Sequence, residues 1–170
     1  MKKLNNSIKN ILDIENKSLQ NLFSAFIEEA VFITDSEIGY FAIVNSAEDT
    51  LLMIGWSQTS MENCSIMYHP IVYPIADTGL WGDAVRERKP VVTNDYKNCI
   101  KPTKKGFPDG HVKVSRHFNV PIFEGTHITG IVGVGNKETD YNDEDVTCLS
   151  QYSQSLWPEL KKVIPEIMLK

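Results

Sequence analysis

The stretch HFNVPIFEGTHITGIVGVGNK, residues 117–137, sets the interpretation of the whole 170-residue sequence. It contains two runs rich in β-branched and aromatic residues, His117–Phe123 and His127–Lys137, with a short turn at residues 124–126 between them. Two such runs around a glycine-containing turn predict an antiparallel β-hairpin. The chain is therefore expected to build its core around a β-sheet.

Two glycines give the second strand of this hairpin an unusual face. Gly133 and Gly135 lie two residues apart, so they share one face of the strand. Their missing side chains allow a backbone, a helix or a ligand to approach the strand closely. This face is a candidate wall of a binding site.

A segment in the first half of the chain predicts another hairpin. The runs Ile38–Asn45 and Leu51–Ser57 are rich in β-forming residues and are joined by residues 46–50. Both runs are apolar on both faces, so they should lie centrally in a sheet that is covered on each side. Pro70–Ile75 and Val91–Val92 predict two further short strands.

An irregular, basic stretch, Thr93–Arg116, separates the last short strand from the second hairpin. Its breaks are Pro102, Gly106, Pro108 and Gly110, and its basic residues are Lys97, Lys101, Lys104, Lys105, Lys113 and Arg116. Loops longer than about 12 to 15 residues within a compact domain are usually binding loops, lids or linkers. Because the whole chain carries a net charge of −5, this basic loop is expected to face a negatively charged partner.

Two helical patterns occur in the first half of the chain. Apolar residues recur at helical spacing over Ile8–Ala30, which suits either a helix that covers its own core or one that pairs with a partner helix. The segment ADTGLWGDAVRERKP, residues 76–90, predicts a compact helix that is capped by Asp77 or Thr78 and ended by Pro90.

The last helix is predicted over Asp143–Lys162. Asn142 stands three residues before Asp145, which is the spacing of a capping box at a helix N-terminus. Pro158 is expected to kink this helix, and the apolar stripe resumes beyond it over residues 163–168.

Length and composition limit the possible classes of protein. With 42% hydrophobic residues the chain can bury one core, and no apolar run approaches the roughly 20 residues of a membrane span. A soluble, cytoplasmic protein without membrane insertion is therefore expected. The net negative charge disfavours nucleic-acid binding, which needs a basic face.

Cysteines and catalytic motifs give little support to an enzyme. Cys64, Cys99 and Cys148 are odd in number and lack CxxC spacing, which disfavours a disulfide framework or a zinc site. No GxSxG, HExxH, P-loop or paired-carboxylate arrangement is found, so no catalytic residue and no metal ligand is assigned.

The segment NKETDYNDED, residues 136–145, carries the most specific resemblance to a known family. It is similar to the Asn-Lys, aromatic, Asp signature at the end of GAF domains, with Asn136, Lys137, Tyr141 and Asp145 at the matching positions. In that family the Lys and Asp are thought to tie the last strand to the last helix. Tyr141 stands where Phe is usual.

Longer runs resemble a bacterial and archaeal GAF subgroup found in sensor histidine kinases and related signalling proteins. The matching runs are TDSEIGYFAIVN, GLWGDAVRERKPVVTNDY, KKGFPDGHVKVSRHFNVPIF and GVGNK. The resemblance implies an α+β, GAF-like (PAS-related) fold. Its central antiparallel sheet would carry the N- and C-terminal helices on one face and a helix-plus-loop insert on the other. The expected divisions are an N-terminal amphipathic helix at 1–30, a GAF domain at 31–160 and a C-terminal helix extension at 161–170.

The resemblance also implies where a ligand would bind. The pocket of a GAF domain lies between the sheet and the insert, here residues 76–116. The candidate ligand-binding residues are Trp81, Asp95, Tyr96, Lys105, His111 and Arg116. Lys105, His111 and Arg116 could donate hydrogen bonds to an anionic group. A charged loop whose side chains bond only to the loop itself would contain the same residue types.

Three functions remain open from the sequence. The first is a non-catalytic sensory module that binds a small ligand and signals through the terminal helices of a homodimer, in a parent protein such as a sensor histidine kinase. The second is a haem or redox sensor, with Cys64, His69, His111 and His117 as the available axial ligands. The third is a dimerisation module without a ligand.

Overall fold

The computed structural model describes residues 1–63, 72–107 and 109–168, with Ile167 described by its backbone alone. The helices are α1 (Lys2–Leu12), α2 (Leu19–Ile33), α3 (Gln58–Glu62), α4 (Asp83–Glu87) and α5 (Asp143–Lys161). The strands are β1 (Ile38–Val44), β2 (Thr50–Trp56), β3 (Val72–Pro74), β4 (Val91–Thr93), β5 (His117–Glu124) and β6 (His127–Gly135). Short 3-10 turns occupy Ile75–Asp77, Leu80–Gly82 and Glu166–Met168.

The six strands form one antiparallel sheet in the order β3-β2-β1-β6-β5-β4. Both predicted hairpins are confirmed, and the pairing of Glu124 with His127 leaves a two-residue turn in which Gly125 has a φ of +61°. Glycine adopts this left-handed conformation without steric cost. The first hairpin, β1–β2, and the second, β5–β6, meet through the β1–β6 pair at the centre of the sheet.

Each face of the sheet is covered, as the doubly apolar strands predict. One face packs against α2 and α5, which in turn pack against α1, around an aromatic cluster in which the Phe26 and Tyr152 rings stack 4.9 Å apart. The opposite face carries a smaller apolar cluster that includes Leu51, Val85 and Ile131. The predicted α+β architecture, with terminal helices on one face and the insert on the other, is therefore confirmed.

The N-terminal helical pattern forms two helices, which corrects the single helix expected over Ile8–Ala30. Helix α1 ends at Leu12, and α2 begins after Ser18, whose hydroxyl accepts a hydrogen bond from the Asn21 amide at 3.2 Å. The linking residues are rich in Asp, Asn and Ser, which favour caps and turns over helix interiors. Leu22 and Phe26 are fully buried in the chain's own core.

The segment over residues 76–90 is also more broken than predicted. Two 3-10 turns precede the five-residue helix α4, and neither Asp77 nor Thr78 caps it. The Thr78 hydroxyl instead donates to the Ile75 carbonyl at 2.7 Å, and a Cβ on Gly82 would lie 1.8 Å from that hydroxyl. This close approach fixes a compact turn where a continuous helix was expected.

The C-terminal helix begins as predicted and ends earlier. The Asn142 side chain accepts from the Glu144 and Asp145 amides, and the Asp145 carboxylate accepts from the Asn142 amide at 3.0 Å, which completes the capping box. Helix α5 runs through Pro158 and ends at Lys161, before Pro165 disfavours helical backbone at the residue that precedes it. The expected helical extension is thus replaced by a turn and a 3-10 turn up to Met168.

One stretch of β5 lies at an edge of the sheet with no strand of the described ranges beside it, because β4 pairs only with residues 117–119. The Gln154 side chain from α5 covers part of this edge: its oxygen accepts from the Phe123 amide at 3.0 Å, and its nitrogen donates to the Phe123 carbonyl at 2.8 Å. Pro121, two residues earlier, has no N–H to offer.

None of the helices in the described ranges is long and apolar enough to cross a membrane.

Candidate functional site

A cavity of about 510 Å³ lies on the face of the sheet opposite the terminal helices. Strands β1, β5 and β6 form its floor, and its roof comes from residues 79–81 and from the lid, which consists of the described residues 94–107 and 109–116. This volume is within the range of about 300 to 1,000 Å³ that is typical of small-molecule sites. The cavity therefore occupies the place where the sequence predicts a ligand.

The two glycines of β6 shape the floor. Gly133 pairs with Tyr40 on one side and with Asn119 on the other, and a Cβ at this position would lie 2.1 Å from the Tyr40 ring. The Tyr40 ring thus crosses β6 through the space that Gly133 leaves. Gly135 takes the equivalent place between Ile38 and His117. The close approach predicted from the sequence is made by a side chain of the neighbouring strand.

A chain of hydrogen bonds runs across this floor from β1 to β5. The Tyr40 hydroxyl donates to Asn119 Oδ1 at 2.7 Å, and Asn119 Nδ2 lies 3.2 Å from His117 Nδ1. Burial raises the pKa of the Tyr40 hydroxyl far above its usual range, so the hydroxyl keeps its proton. These three side chains are called the relay.

His117 is the ionisable end of the relay and is 8% exposed. Burial lowers the pKa of its imidazole to about 4, and the Asp83 carboxylate acts in the opposite direction. The ring is consequently neutral near pH 7. Its Nδ1 faces Asn119, whereas Nε2 makes no hydrogen bond to a described residue, and the ring lines the cavity.

Aromatic rings form the walls. On one side the Trp81 ring packs edge-on against Tyr40 and Tyr73, with centroid distances of 6.0 and 5.1 Å. A second series of rings climbs from the floor into the lid: His117 to Tyr96 at 5.7 Å, Tyr96 to Phe107 at 5.6 Å and Phe107 to His111 at 5.3 Å. Among the described residues that line the cavity, none is Lys, Arg, Asp or Glu.

The lid is attached to α4 by a buried carboxylate. Asp83, which is 2% exposed, accepts from Arg86 Nε at 2.9 Å and from the Thr103 hydroxyl of the lid at 2.8 Å. Arg86 also donates to the Ile75 carbonyl at 2.7 Å, which holds the turn before Trp81 in place. One carboxylate therefore positions both parts of the roof.

The far end of the lid is held by the end of β6. Asn136 Oδ1 accepts from the Ser115 amide at 2.9 Å, and Asn136 Nδ2 donates to the Lys113 carbonyl at 2.8 Å. Arg116 Nη1 donates to the Lys137 carbonyl at 2.6 Å. Asn136 has a φ of +62°, which Asn tolerates better than most residues do.

Two charged residues and a tyrosine connect this junction to the last helix. Lys137 Nζ donates to both carboxylate oxygens of Asp145, at 2.7 and 2.8 Å, which joins the end of β6 to the start of α5. The Tyr141 hydroxyl lies 2.7 Å from the Ser36 hydroxyl, and burial raises the pKa of Tyr141 to about 12. The family-like signature thus holds lid, strand and helix together.

Of the six candidate ligand-binding residues, Trp81, Tyr96 and His111 line the cavity. His111 Nδ1 lies 2.6 Å from the Val112 carbonyl. Sequence and structure agree on the location of these three side chains, and their contact with a ligand stays a prediction.

The other three candidates have partners outside the cavity lining. Asp95 accepts from the Asn98 amide and side chain in an exposed turn, and Lys105 Nζ donates to the Ala76 carbonyl at 2.9 Å. Arg116 binds the chain after β6, as described above. The expectation of an anionic ligand thus finds no cationic partner among the described lining residues.

From the sequence alone, His117 stands out only as a haem ligand, and Tyr40 and Asn119 do not stand out. The signal that could have identified His117 and Asn119 is their spacing: they are polar residues two positions apart in an otherwise apolar strand. Residues at this spacing lie on the same face of a strand, here the cavity face of β5. Two of the haem-ligand candidates, Cys64 and His69, lie outside the described residues. Cys99 and Cys148 are free thiols, and burial raises the pKa of Cys148.

Comparison with known proteins identifies relatives of sequence and of fold. The sequence profile described as "GAF domain" matches residues 16–160. The chain is 45% identical over 145 residues to the methyl sulfide methyltransferase-associated sensor of Methanosarcina acetivorans. The aligned region covers 85% of this chain and 14% of that protein. The chain thus spans about one seventh of its relative's length.

Solved structures match over nearly the whole chain. The GAF domain of a phosphoenolpyruvate-protein phosphotransferase from Coxiella burnetii has a TM-score of 0.73 at 12% identity and covers 96% of both chains. Free methionine-R-sulfoxide reductase from Neisseria meningitidis has a TM-score of 0.68 at 13% identity, over 95% of this chain and 89% of that one. At such identities the likeness concerns the fold.

Proposed function

The chain belongs to the GAF domain family, and on that premise we propose that it is a non-catalytic sensory domain that binds a neutral, largely aromatic small molecule between sheet and lid. The observation that carries this proposal is the aromatic cavity of about 510 Å³ without a charged residue among its described lining. Apolar and aromatic walls with few polar groups are typical of small-molecule sites. An anion would lose its hydration there without a cation to replace it.

The sheet offers a route from the ligand to the terminal helices. Strands β1, β5 and β6 present one face to the cavity, and the opposite face of the same strands packs against α2 and α5. A ligand shifts the helices only by as much as it prefers one arrangement of this sheet over another. We expect the output to pass through the terminal helices of a parallel homodimer to a signalling partner such as a histidine kinase.

A substitution that fills the cavity tests this function. Val112 lines the cavity from the lid, so Val112→Trp should occupy ligand space. Val92 is 37% exposed on β4 and does not line the cavity, so Val92→Trp is a matched control. The probes are small two-ring aromatic molecules, and the measurement is the ligand-dependent rise of Tm.

We expect the probes to raise the Tm of the wild type and of Val92→Trp, and not that of Val112→Trp. If no probe changes the Tm and the protein is a dimer in every sample, the result would favour a dimerisation module without a ligand. Native mass spectrometry of the purified chain checks in parallel for a co-purified molecule.

A haem sensor is the second candidate, and His117 is the observation that favours it. A neutral imidazole that lines an apolar cavity is the kind of group that ligates haem iron. Haem would supply binding of a diatomic gas or a change of iron oxidation state, and His117 would hold it. The contact of Asn119 Nδ2 with His117 Nδ1 does not fit this role: an amide nitrogen only donates, so the proton of the neutral imidazole resides on Nε2, where ligation needs a lone pair.

Haem reconstitution separates the two candidates. A Soret band that is present in the wild type and shifted in His117→Ala would support haem bound at His117. The absence of a Soret band after reconstitution would exclude that candidate and leave the first one unaffected.

A further inference from the structure

The relay determines which kind of ligand atom His117 can bind. The Tyr40 hydroxyl has one proton, which it donates to Asn119 Oδ1. The amide is thereby oriented with Nδ2 towards His117. An amide nitrogen carries protons and no available lone pair, so it can only donate, and His117 Nδ1 must accept. In a neutral imidazole the proton then resides on Nε2.

The reverse orientation of the amide would leave more groups unpaired. If His117 Nδ1 donated to Asn119 and Asn119 donated to Tyr40, the Tyr40 proton would need another acceptor. The structure gives the Tyr40 hydroxyl no hydrogen bond besides that to Asn119 among the described residues. The observed direction leaves one unpaired group, His117 Nε2–H, whereas the reverse leaves two. Because Tyr40 lines a mostly apolar cavity, a hydroxyl proton without an acceptor there costs free energy, and the observed direction is favoured.

We propose that the cavity selects ligands that carry a neutral hydrogen-bond acceptor, a carbonyl oxygen or an aromatic ring nitrogen, which accepts from His117 Nε2–H. This inference rests on the proposed function, since it names the ligand class for the same cavity. The aromatic series from Tyr96 to His111 and the Trp81 ring make a planar ring system the best-fitting body of such a ligand. The ligand class is therefore a planar heteroaromatic or cyclic carbonyl compound.

Charge supports a neutral acceptor over a carboxylate. No described residue that lines the cavity is cationic, and the buried His117 ring remains neutral near pH 7 because its pKa lies at about 4. A carboxylate would therefore meet no positive charge among the described lining residues. Such burial of an unpaired ion is strongly unfavourable.

Three probes of similar size and shape test the inference. Isoquinoline carries a ring-nitrogen acceptor, naphthalene carries no polar atom, and indole carries an N–H donor without an acceptor. Binding of each to the wild type and to His117→Phe is measured by calorimetry above neutral pH. His117→Phe keeps an aromatic ring and removes the donor.

We expect the wild type to bind isoquinoline about 2- to 10-fold more tightly than naphthalene, the effect of one neutral hydrogen bond. This preference should disappear in His117→Phe. Equal binding of the three probes, or a preference for indole, overturns the inference and leaves the proposed function in place. If none of the three probes binds the wild type, both the inference and the proposed function fail for this ligand class.

A second measurement needs neither variant nor ligand. Imidazole nitrogen NMR of the wild type distinguishes a proton on Nε2 from one on Nδ1. We expect the His117 proton on Nε2. A proton on Nδ1 would overturn the inference and would instead suit haem ligation.

Discussion

At the scale of single residues, Gly133 shows how an absent side chain builds the site. The Tyr40 ring and the Asn119 amide meet above this glycine, and a Cβ there would lie 2.1 Å from Tyr40 Cε1 and 2.4 Å from Asn119 Oδ1. Neither neighbour can withdraw without breaking the relay. The glycine is thus required by the hydrogen bond that passes over it.

Replacing this glycine should damage both stability and binding. We expect Gly133→Ala to lower the free energy of unfolding by about 1 to 3 kcal/mol, as overpacking in a filled core usually does. Urea unfolding measures this loss. The matched control is Gly55→Ala in β2, where the added Cβ would meet only the end of the Ile27 side chain at 3.3 Å. Equal effects of the two variants would contradict the role given to Gly133.

His117 should make stability depend on pH. The folded-state pKa of its imidazole, about 4, lies below the ordinary histidine pKa of 6.5, so the unfolded chain binds a proton first as the pH falls. The contribution of the neutral His117 ring to folding stability is therefore fully present above about pH 6.5 and is lost as the pH falls towards 4. At about pH 5 the loss relative to neutral pH is ~2 kcal/mol.

Urea unfolding at the two pH values checks this expectation. The loss of stability on acidification should be smaller in His117→Phe than in the wild type, because the carboxylates titrate in both proteins and cancel in the comparison. Identical pH dependence of the two proteins would show that His117 is not the neutral, buried group described here.

At the scale of elements, the junction between β6 and α5 depends on one ion pair. The Lys137 and Asp145 side chains are 14% and 11% exposed, so little water competes with their contact. Asp145 also completes the capping box of α5. The pair therefore links the end of the cavity floor to a terminal helix.

Removing the lysine should cost about 1.5 to 3 kcal/mol of unfolding free energy, the range for a hydrogen bond to a charged group. The variant is Lys137→Met, which keeps most of the side-chain volume. Lys162→Met is the control, because Lys162 is 67% exposed in its pair with Glu159 and such surface pairs contribute under about 1 kcal/mol. If Lys137→Met lowers the free energy of unfolding no more than Lys162→Met does, the ion pair does not link β6 to α5 in the way proposed.

The lid should open more often when its bond to Asp83 is removed. Thr103→Val keeps the shape of the side chain and deletes the hydroxyl that donates to this buried carboxylate. We expect hydrogen exchange of lid amides, such as that of Lys104, to rise by about tenfold or more. Thr129→Val on β6 is the control. A rise spread evenly over the whole chain would indicate general destabilisation and contradict the specific role of Thr103.

The sequence predicts most elements and misplaces those whose ends depend on side chains distant in sequence. The strands of both hairpins follow from runs of β-forming residues, the turn of the second hairpin follows from Gly125, and the start of α5 follows from the Asn142 cap. The broken turn before α4 depends on Arg86 reaching back to Ile75. The division of α1 from α2 has a local signal in the Ser18 cap, which the helical spacing of the apolar residues on both sides obscures. The relay joins Tyr40 to Asn119 through the register of three strands, which local periodicity does not encode.

At the scale of the molecule, the proposed homodimer needs a surface beyond the residues buried in the chain's own core. Phe32 at the end of α2 is 58% exposed, with Lys3 Nζ 4.4 Å from its ring centroid, and Leu12 of α1 is 43% exposed. These side chains lie on helices α1 and α2, on the side of the sheet opposite the cavity. An interface that included them would place the helices of two copies together.

A charge at Phe32 should weaken that association. We expect Phe32→Asp to raise the Kd of the dimer at least tenfold, because it places a carboxylate in an apolar contact. Sedimentation at several concentrations measures the Kd, and Val92→Asp on β4 serves as the control. A wild type that remains a monomer at every concentration would refute the dimer.

The Gln154 amide has a consequence for copies held close together in a signalling assembly. By binding both the N–H and the C=O of Phe123, it occupies the groups that a strand from another molecule would need, and Pro121 offers no donor beside it. Open sheet edges are templates on which chains add to one another without limit. With this part of the β5 edge occupied, crowding should favour association through helices and restrain growth into fibres.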